Sequence, residues 1–156
     1  MGPLPAPTSL KVIGKALADG LAAYSSGTLE DCSVRYGPQH SIVLADGEVG
    51  FVVVRWTSLN PEGVAYAGNA WEEWPVFLVS VYVPDATGTE GTTAEDRRTD
   101  IVDDILSFLQ SNRTIAAGVQ AAHATTTEAD EVPGMTDESQ VFRSAALAVT
   151  CHRIRS

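Results

Sequence analysis

Hydrophobic residues at the start of the chain follow a helical spacing. Ser9, a preferred N-cap residue, stands just before the first of them. The apolar positions recur every three or four residues, which places them on one helix face: Leu10, Ile13, Leu17, Leu21 and Tyr24. The pattern predicts a helix over residues 10–24.

The next apolar stretches alternate with period two, as β-strands do. A short strand is predicted over residues 32–36. Residues 41–45 and 49–57 then flank Asp46-Gly47, a dipeptide that favours the positive φ angles of a tight hairpin turn. These two stretches are therefore predicted to pair as a β-hairpin.

Residues 58–74 contain an Asn-Pro pair, further glycines and two tryptophans, which is typical of a long loop. Trp71 and Trp74 bracket two glutamates there. If exposed, the two rings would form a protein-contact loop; if buried, they would anchor the loop on the core. The following stretch, 75–84, is predicted to be a central strand because its alternate residues are all apolar.

A second helix is predicted from Ala94 to Gln110. Thr92 and Glu95 have the spacing of a capping box at its start. One helix face is apolar, with Ile101, Ile105 and Leu109. The opposite face carries four acids: Asp96, Asp100, Asp103 and Asp104. Such a helix covers one face of a sheet and exposes its carboxylates.

The rest of the chain predicts two strands, over 114–126 and 140–152, separated by a mobile acidic loop at 128–138. Residues 1–8, with three prolines, are expected to form a flexible arm. Taken together, the elements predict one α+β domain spanning residues 1–156. Its mostly antiparallel sheet has four or more strands, covered by the N-terminal helix and the central amphipathic helix.

Composition and charge narrow the function classes. The 156 residues are 44% hydrophobic and 19% charged, which suits a folded globular domain. Ten bases against twenty acids give a net charge of −10. This charge disfavours sequence-independent binding to nucleic acid or anionic lipid, although it suits a channel through which DNA passes without sticking. No apolar stretch has the length of a membrane span, and the proline-rich start does not have the pattern of a secretion signal.

Residues able to carry catalysis are few. The sequence contains none of the common nucleotide-binding, zinc-protease or serine-hydrolase motifs. Gly88-Thr-Glu-Gly91 lacks the third glycine and the lysine of phosphate-binding loops. A zinc site or thiol nucleophile would need histidine beside cysteine. The spacing of the available residues does not favour either: His40, His123, His152, Cys32 and Cys151. We therefore expect no enzyme activity, no cofactor and no bound metal.

Charge segregation indicates a contact between copies of the chain. The last seventeen residues hold three arginines and no acid, whereas the second helix is acidic on its outer face. Like charges one helical turn apart are mildly unfavourable, and a basic partner would relieve them. The predicted inter-subunit contacts join the acids Asp100, Asp103 and Asp104 to the bases Arg153 and Arg155.

The order of elements resembles that of the tail terminator, or tail-completion, proteins of long-tailed bacteriophages. The similarity lies in the N-terminal helix, a central strand ending Val81-Tyr-Val-Pro84, the glycine-rich link 85–93, the helix 94–110 and the closing strand 142–152. It implies a ring, commonly a hexamer, that caps the tail tube, stops its polymerisation and offers a docking face to the head.

Further expectations follow from the same resemblance. The partners would be the tail tube protein and head-tail connector proteins, with genomic DNA passing through the lumen without specific binding. The protein would be located in the virion, at the head-proximal end of the tail, after assembly in the host cytoplasm. Two alternatives stay open: a head-to-tail neck or stopper protein, and a small cytoplasmic enzyme or ligand-binding domain with a deep pocket.

Overall fold

The computed structural model describes residues 8–24, 27–37, 48–59, 65–67, 70–85, 91–126, 131–133 and 141–155. Within these ranges, helices α1 and α2 pack on a mostly antiparallel sheet and share one hydrophobic core with it. The α+β class predicted from the sequence is confirmed. The helical elements are α1 (Leu10–Ala23), a 3₁₀ helix (Gly27–Asp31) and α2 (Gly91–Ser111). The strands are β1 (Cys32–Tyr36), β2 (Gly50–Leu59), β3 (Ala65–Ala67), β4 (Ala70–Glu73), β5 (Pro75–Asp85), β6 (Thr114–Ala116), β7 (Val119–Thr126), β8 (Glu131–Pro133) and β9 (Val141–Arg155).

Helix α1 forms where the hydrophobic spacing predicts it. The Ser9 side chain accepts a hydrogen bond from the Val12 N–H at 3.2 Å, which caps the helix. Ile13 and Leu17 are fully buried against the sheet. Gly14 permits this close approach, because a Cβ atom there would lie only 2.3 Å from Cε2 of Tyr36 on β1. Helix α1 is thereby fixed over the first strands of the sheet.

Strand β9 is the centre of the sheet. It pairs with β5 along ten residue pairs on one side, and with β7 and β8 on the other. The main order is β1-β2-β5-β9, while β3 and β4 form a hairpin whose second strand pairs with the C-terminal end of β9. The long closing strand predicted from residue 140 is confirmed, and it extends to Arg155.

The predicted hairpin at Asp46-Gly47 is wrong. Over Gly50–Val54, strand β2 pairs with β1 in parallel on one edge and with β5 on the other, so both edges are occupied. Residues 41–47 themselves lie outside the described ranges. An Asp-Gly dipeptide in a sequence favours a turn in general, but it does not identify which strands pair, and a parallel partner leaves no local sequence signature.

Two predicted boundaries are also wrong. The predicted loop 58–74 contains the end of β2 and the strands β3 and β4. The predicted single strand 114–126 is a hairpin, β6 and β7, which turns at Gly118 with a φ of 70°. In the predicted acidic loop 128–138, residues 131–133 form β8, and the other positions lie outside the described ranges.

Helix α2 begins earlier than predicted, at Gly91, so Thr92 lies inside the helix and not at the predicted N-cap position. Ile101 and Ile105 are fully buried, whereas Asp96, Asp100 and Asp103 are exposed. The predicted amphipathic character is confirmed. Because α2 packs against β5 and β9, its acidic face points away from the sheet.

The two faces of the sheet differ in what they bury. The face toward the helices carries the main core, including Val52, Phe77, Val79 and Leu147. On the other face, Phe51, Val53 and Phe142 form a second, smaller cluster with Tyr82 packed against it. Strand β2 is therefore apolar on both faces over its first half, as its sequence predicts.

Candidate interaction surfaces

The sequence predicts that Arg153 contacts an adjacent subunit, but its side chain binds residues of its own chain. Its Nε and Nη2 atoms each lie 2.7 Å from Glu73 Oε2, and both residues are buried, with about 4% of each exposed. Glu73 lies directly opposite Arg153 in the β4–β9 register. A buried guanidinium bonded to a buried carboxylate is not available to a partner, so this part of the predicted contact is wrong.

Arg153 also fixes the chain before α1. Its Nη1 donates to the Thr8 carbonyl at 2.8 Å, and the Thr8 hydroxyl donates to the Ala117 carbonyl at 2.7 Å. Thr8, the last residue of the predicted flexible arm, is thus held by two hydrogen bonds. Residues 1–7 lie outside the described ranges.

The tryptophan pair does not lie in a loop. Trp71 belongs to β4, where it pairs with Arg155 of β9; the side chains of these two residues lie outside the description. Trp74 stands between β4 and β5, half-buried, and its ring lies 5.5 Å from the ring of His152. The Nε2 atom of His152 is 3.9 Å from Glu72 Oε1. Trp74 therefore packs on the sheet, as the anchoring alternative predicts.

The predicted acidic residues of α2 have different environments. Asp104 accepts a hydrogen bond from the Leu29 N–H at 2.9 Å and thereby ties α2 to the 3₁₀ helix. Asp100 and Asp103 are exposed, and so are Glu30 and Asp31 of the 3₁₀ helix beside Leu29. We call Glu30, Asp31, Asp100 and Asp103 the acidic surface. Asp104 serves its own chain, while the acidic surface is open to solvent.

The opposite end of the acidic helix is linked to the sheet by arginines. Glu95 pairs with Arg98, and its other oxygen lies 3.6 Å from Nη1 of Arg143 on β9. Arg98 also donates to the Ser144 carbonyl at 3.2 Å. These contacts join α2 to β9 within the chain.

The cysteines are neutral thiols at physiological pH. Burial raises the pKa of Cys151 to about 12. The pKa of Cys32 is also raised to about 12, first by burial and then by the charges of Asp31, Asp104 and Glu48. A thiol is nucleophilic or metal-binding only as the thiolate, so neither cysteine is poised for such chemistry. Both are free, on β1 and β9 respectively.

Of the three histidines predicted as weak ligand candidates, the structure describes the side chain of His152. Across the residues that the structure describes, no group of three or more His, Cys, Asp or Glu side chains could hold a metal ion. His40 lies outside the described ranges, and so does the side chain of His123. His152 instead lies beside Trp74 and Glu72.

One surface was missed from the sequence. Arg35 on β1 and Arg55 on β2 are exposed and lie on the face of the sheet opposite the helices. Trp56, the next residue on β2, is 43% exposed, and strand alternation places it on the other face, the side of the helices. We call Arg35 and Arg55 the basic edge. Only the parallel pairing of β1 with β2 brings the two arginines together, and no local pattern predicts that pairing.

No protein-family model matches the chain, and no curated protein matches it. Neither helix of the described part has the length and apolar character required to cross a bilayer.

Proposed function

We propose that this protein is a structural subunit of a bacteriophage virion, a tail terminator that forms a ring, commonly of six copies, on the end of the completed tail tube. The observation that carries the proposal is the layout of the fold. A capped N-terminal helix, a sheet centred on β5 and β9, and an acidic helix between those two strands occur in the order that the terminator resemblance implies.

A ring subunit needs a rigid body and two different contact surfaces. Long antiparallel pairing between β5 and β9, together with two covering helices, supplies the rigid body. The acidic surface and the basic edge lie on different sides of the sheet. A head-to-tail contact between unlike surfaces generates a closed ring when the rotation per subunit closes. The distribution of charge therefore supports repeated self-association.

The net charge of −10 fits the same function. DNA leaving the head must pass through the ring, and a lumen that attracted phosphate would slow it. The ring would contact the tail tube protein on one side and head-tail connector proteins on the other. We propose no enzymatic step and no cofactor for this function.

Electron microscopy of the purified protein mixed with tail tubes, polymerised from the tube protein of the same genome, tests the proposal. The expected result is a ring at one end of each tube and no further growth from that end. Binding to isolated heads and not to tubes would assign the protein to the neck instead. Binding to neither would reject a virion-joint function.

A further inference from the structure

The exposed side chains of the basic edge are of a type that is enriched in protein interfaces. Arginine is enriched at binding hot spots, because its guanidinium combines contact area with several hydrogen-bond donors. The basic edge presents two exposed arginines on one face of the sheet.

The register places the two charges close together. Arg35 is paired with Val53, and Arg55 lies two residues further along β2 on the same face. With strands about 4.8 Å apart and a rise of about 3.3 Å per residue, the two Cα atoms lie about 8 Å apart. Two exposed cations at this distance repel each other, and an acidic partner would relieve the repulsion.

The acidic surface has the complementary character. Glu30, Asp31, Asp100 and Asp103 are all exposed around the contact between Leu29 and Asp104, which holds the 3₁₀ helix and α2 together. The nearest described base along α2, Arg98, is half-buried and pairs with Glu95. Four carboxylates are therefore presented by two helical elements whose relative position is fixed by a hydrogen bond.

We propose that the basic edge of one copy binds the acidic surface of a second copy of this chain. The proposal rests on the proposed function, because it names the repeating contact of the ring. Charge complementarity identifies the occupant: the protein carries its own acidic partner surface, on the helix side of the sheet, and the basic edge lies on the opposite side. Such a contact is heterologous and continues from copy to copy. It replaces the predicted contact through Arg153, which is buried.

A nucleic acid is the main competing occupant, since two neighbouring exposed arginines can also bind phosphate. The net charge of −10 disfavours it, because the whole-molecule field repels a polyanion while it does not prevent contact between two complementary local surfaces. A second rival is that Arg35 only guards the edge strand β1 against uncontrolled pairing, as charged residues on edge strands do.

Native mass spectrometry over a concentration series, on the full chain, tests the proposal. The central variant is R35E/R55E, and its matched control is K11E/K15E, which changes the charge equally at two exposed lysines of α1. We expect R35E/R55E to weaken association at least tenfold and the control to change it less than threefold. The variant D100R/D103R should weaken association similarly, and the quadruple variant R35E/R55E/D100R/D103R should recover most of the loss.

Each of the following results would overturn the proposal. Wild-type association by R35E/R55E, or stronger association by R35S/R55S, would overturn the proposal and favour the edge-guard function. A labelled single-stranded oligonucleotide that binds the wild type and not R35E/R55E, with association unchanged, would overturn it in favour of nucleic acid. A wild type that stays monomeric, alone and with tail tubes, would reject the proposed function as well.

Discussion

Glu73 and Arg153 lie opposite each other on β4 and β9, and their side chains form a buried ion pair in which one carboxylate oxygen accepts from two guanidinium nitrogens. The same guanidinium reaches the Thr8 carbonyl. One arginine thus joins the end of the central strand, the hairpin strand β4 and the residue before α1. Its function is to hold the subunit together, and the contacts between subunits must come from other residues.

Removal of Arg153 should strongly destabilise the protein. In Arg153→Ala, the buried Glu73 carboxylate loses its cation, and the loss of one partner of a buried pair typically costs about 3–5 kcal/mol. Urea unfolding measures the change, with Arg35→Ala as the exposed control, for which we expect less than about 0.5 kcal/mol. If Arg153→Ala unfolds at the same urea concentration as the control, the pair does not stabilise the fold.

Asp104 and Asp103 are adjacent in the sequence but have different functions, so their alanine variants should affect different properties. Asp104→Ala removes the acceptor for the Leu29 N–H and should cost about 0.5–2 kcal/mol, as the loss of a helix cap does. Asp103→Ala removes an exposed carboxylate and should leave stability nearly unchanged while it weakens self-association. Thermal unfolding and native mass spectrometry of both variants check the two effects. Equal loss of stability in the two would contradict the assignment.

The cysteines predict a loss of stability at high pH. In the unfolded chain a thiol ionises at about 8.5, whereas burial raises the pKa of Cys151 to about 12. Above pH 8.5 the Cys151 thiol ionises in the unfolded chain but stays neutral in the folded protein. Its contribution to the free energy of unfolding therefore falls by up to about 1.4 kcal/mol per pH unit until about pH 12. Urea unfolding at pH 8, 9 and 10 should show a shallower decline for Cys151→Ala than for the wild type; equal slopes would contradict it.

Salt should act on the rate of assembly more than on the finished ring. Exposed ion pairs contribute only about 0.2–1 kcal/mol each, and they mainly steer encounter and select the partner. Light scattering after dilution into 50 mM or 500 mM NaCl should show slower growth of oligomers at high salt, with similar rates of dissociation. Rapid dissociation of assembled oligomers by salt would mean that the charges, and not apolar contacts, supply most of the adhesion.

The sequence predicts well wherever a single segment carries the whole signal. Helix α1, strand β5, the apolar face of α2 and the long closing strand follow from periodicity, because each buries a face whose pattern is local. The short strands β3 and β4 were predicted as loop because a three- or four-residue strand has too few alternations to recognise. Their pairing is fixed by β9, far away in the chain.

The candidate surfaces were predictable only in part. The acidic face of α2 follows from its spacing, and the exposure of Asp100 and Asp103 confirms that reading. The basic residues that would contact this face could not be predicted from the sequence, because charge counts along the chain cannot distinguish a buried arginine from an exposed one. Arg153 is buried by its cross-strand neighbour, and Arg35 and Arg55 become neighbours only through the parallel pairing of β1 and β2.

The most direct measurement of the central proposal is electron microscopy of tail tubes grown with and without this protein. We predict that tubes grown with it carry a ring of added density at one end and stop growing from that end, while R35E/R55E leaves the ends bare and K11E/K15E does not. Tubes that grow equally long in its presence, with no added density at either end, would contradict the account.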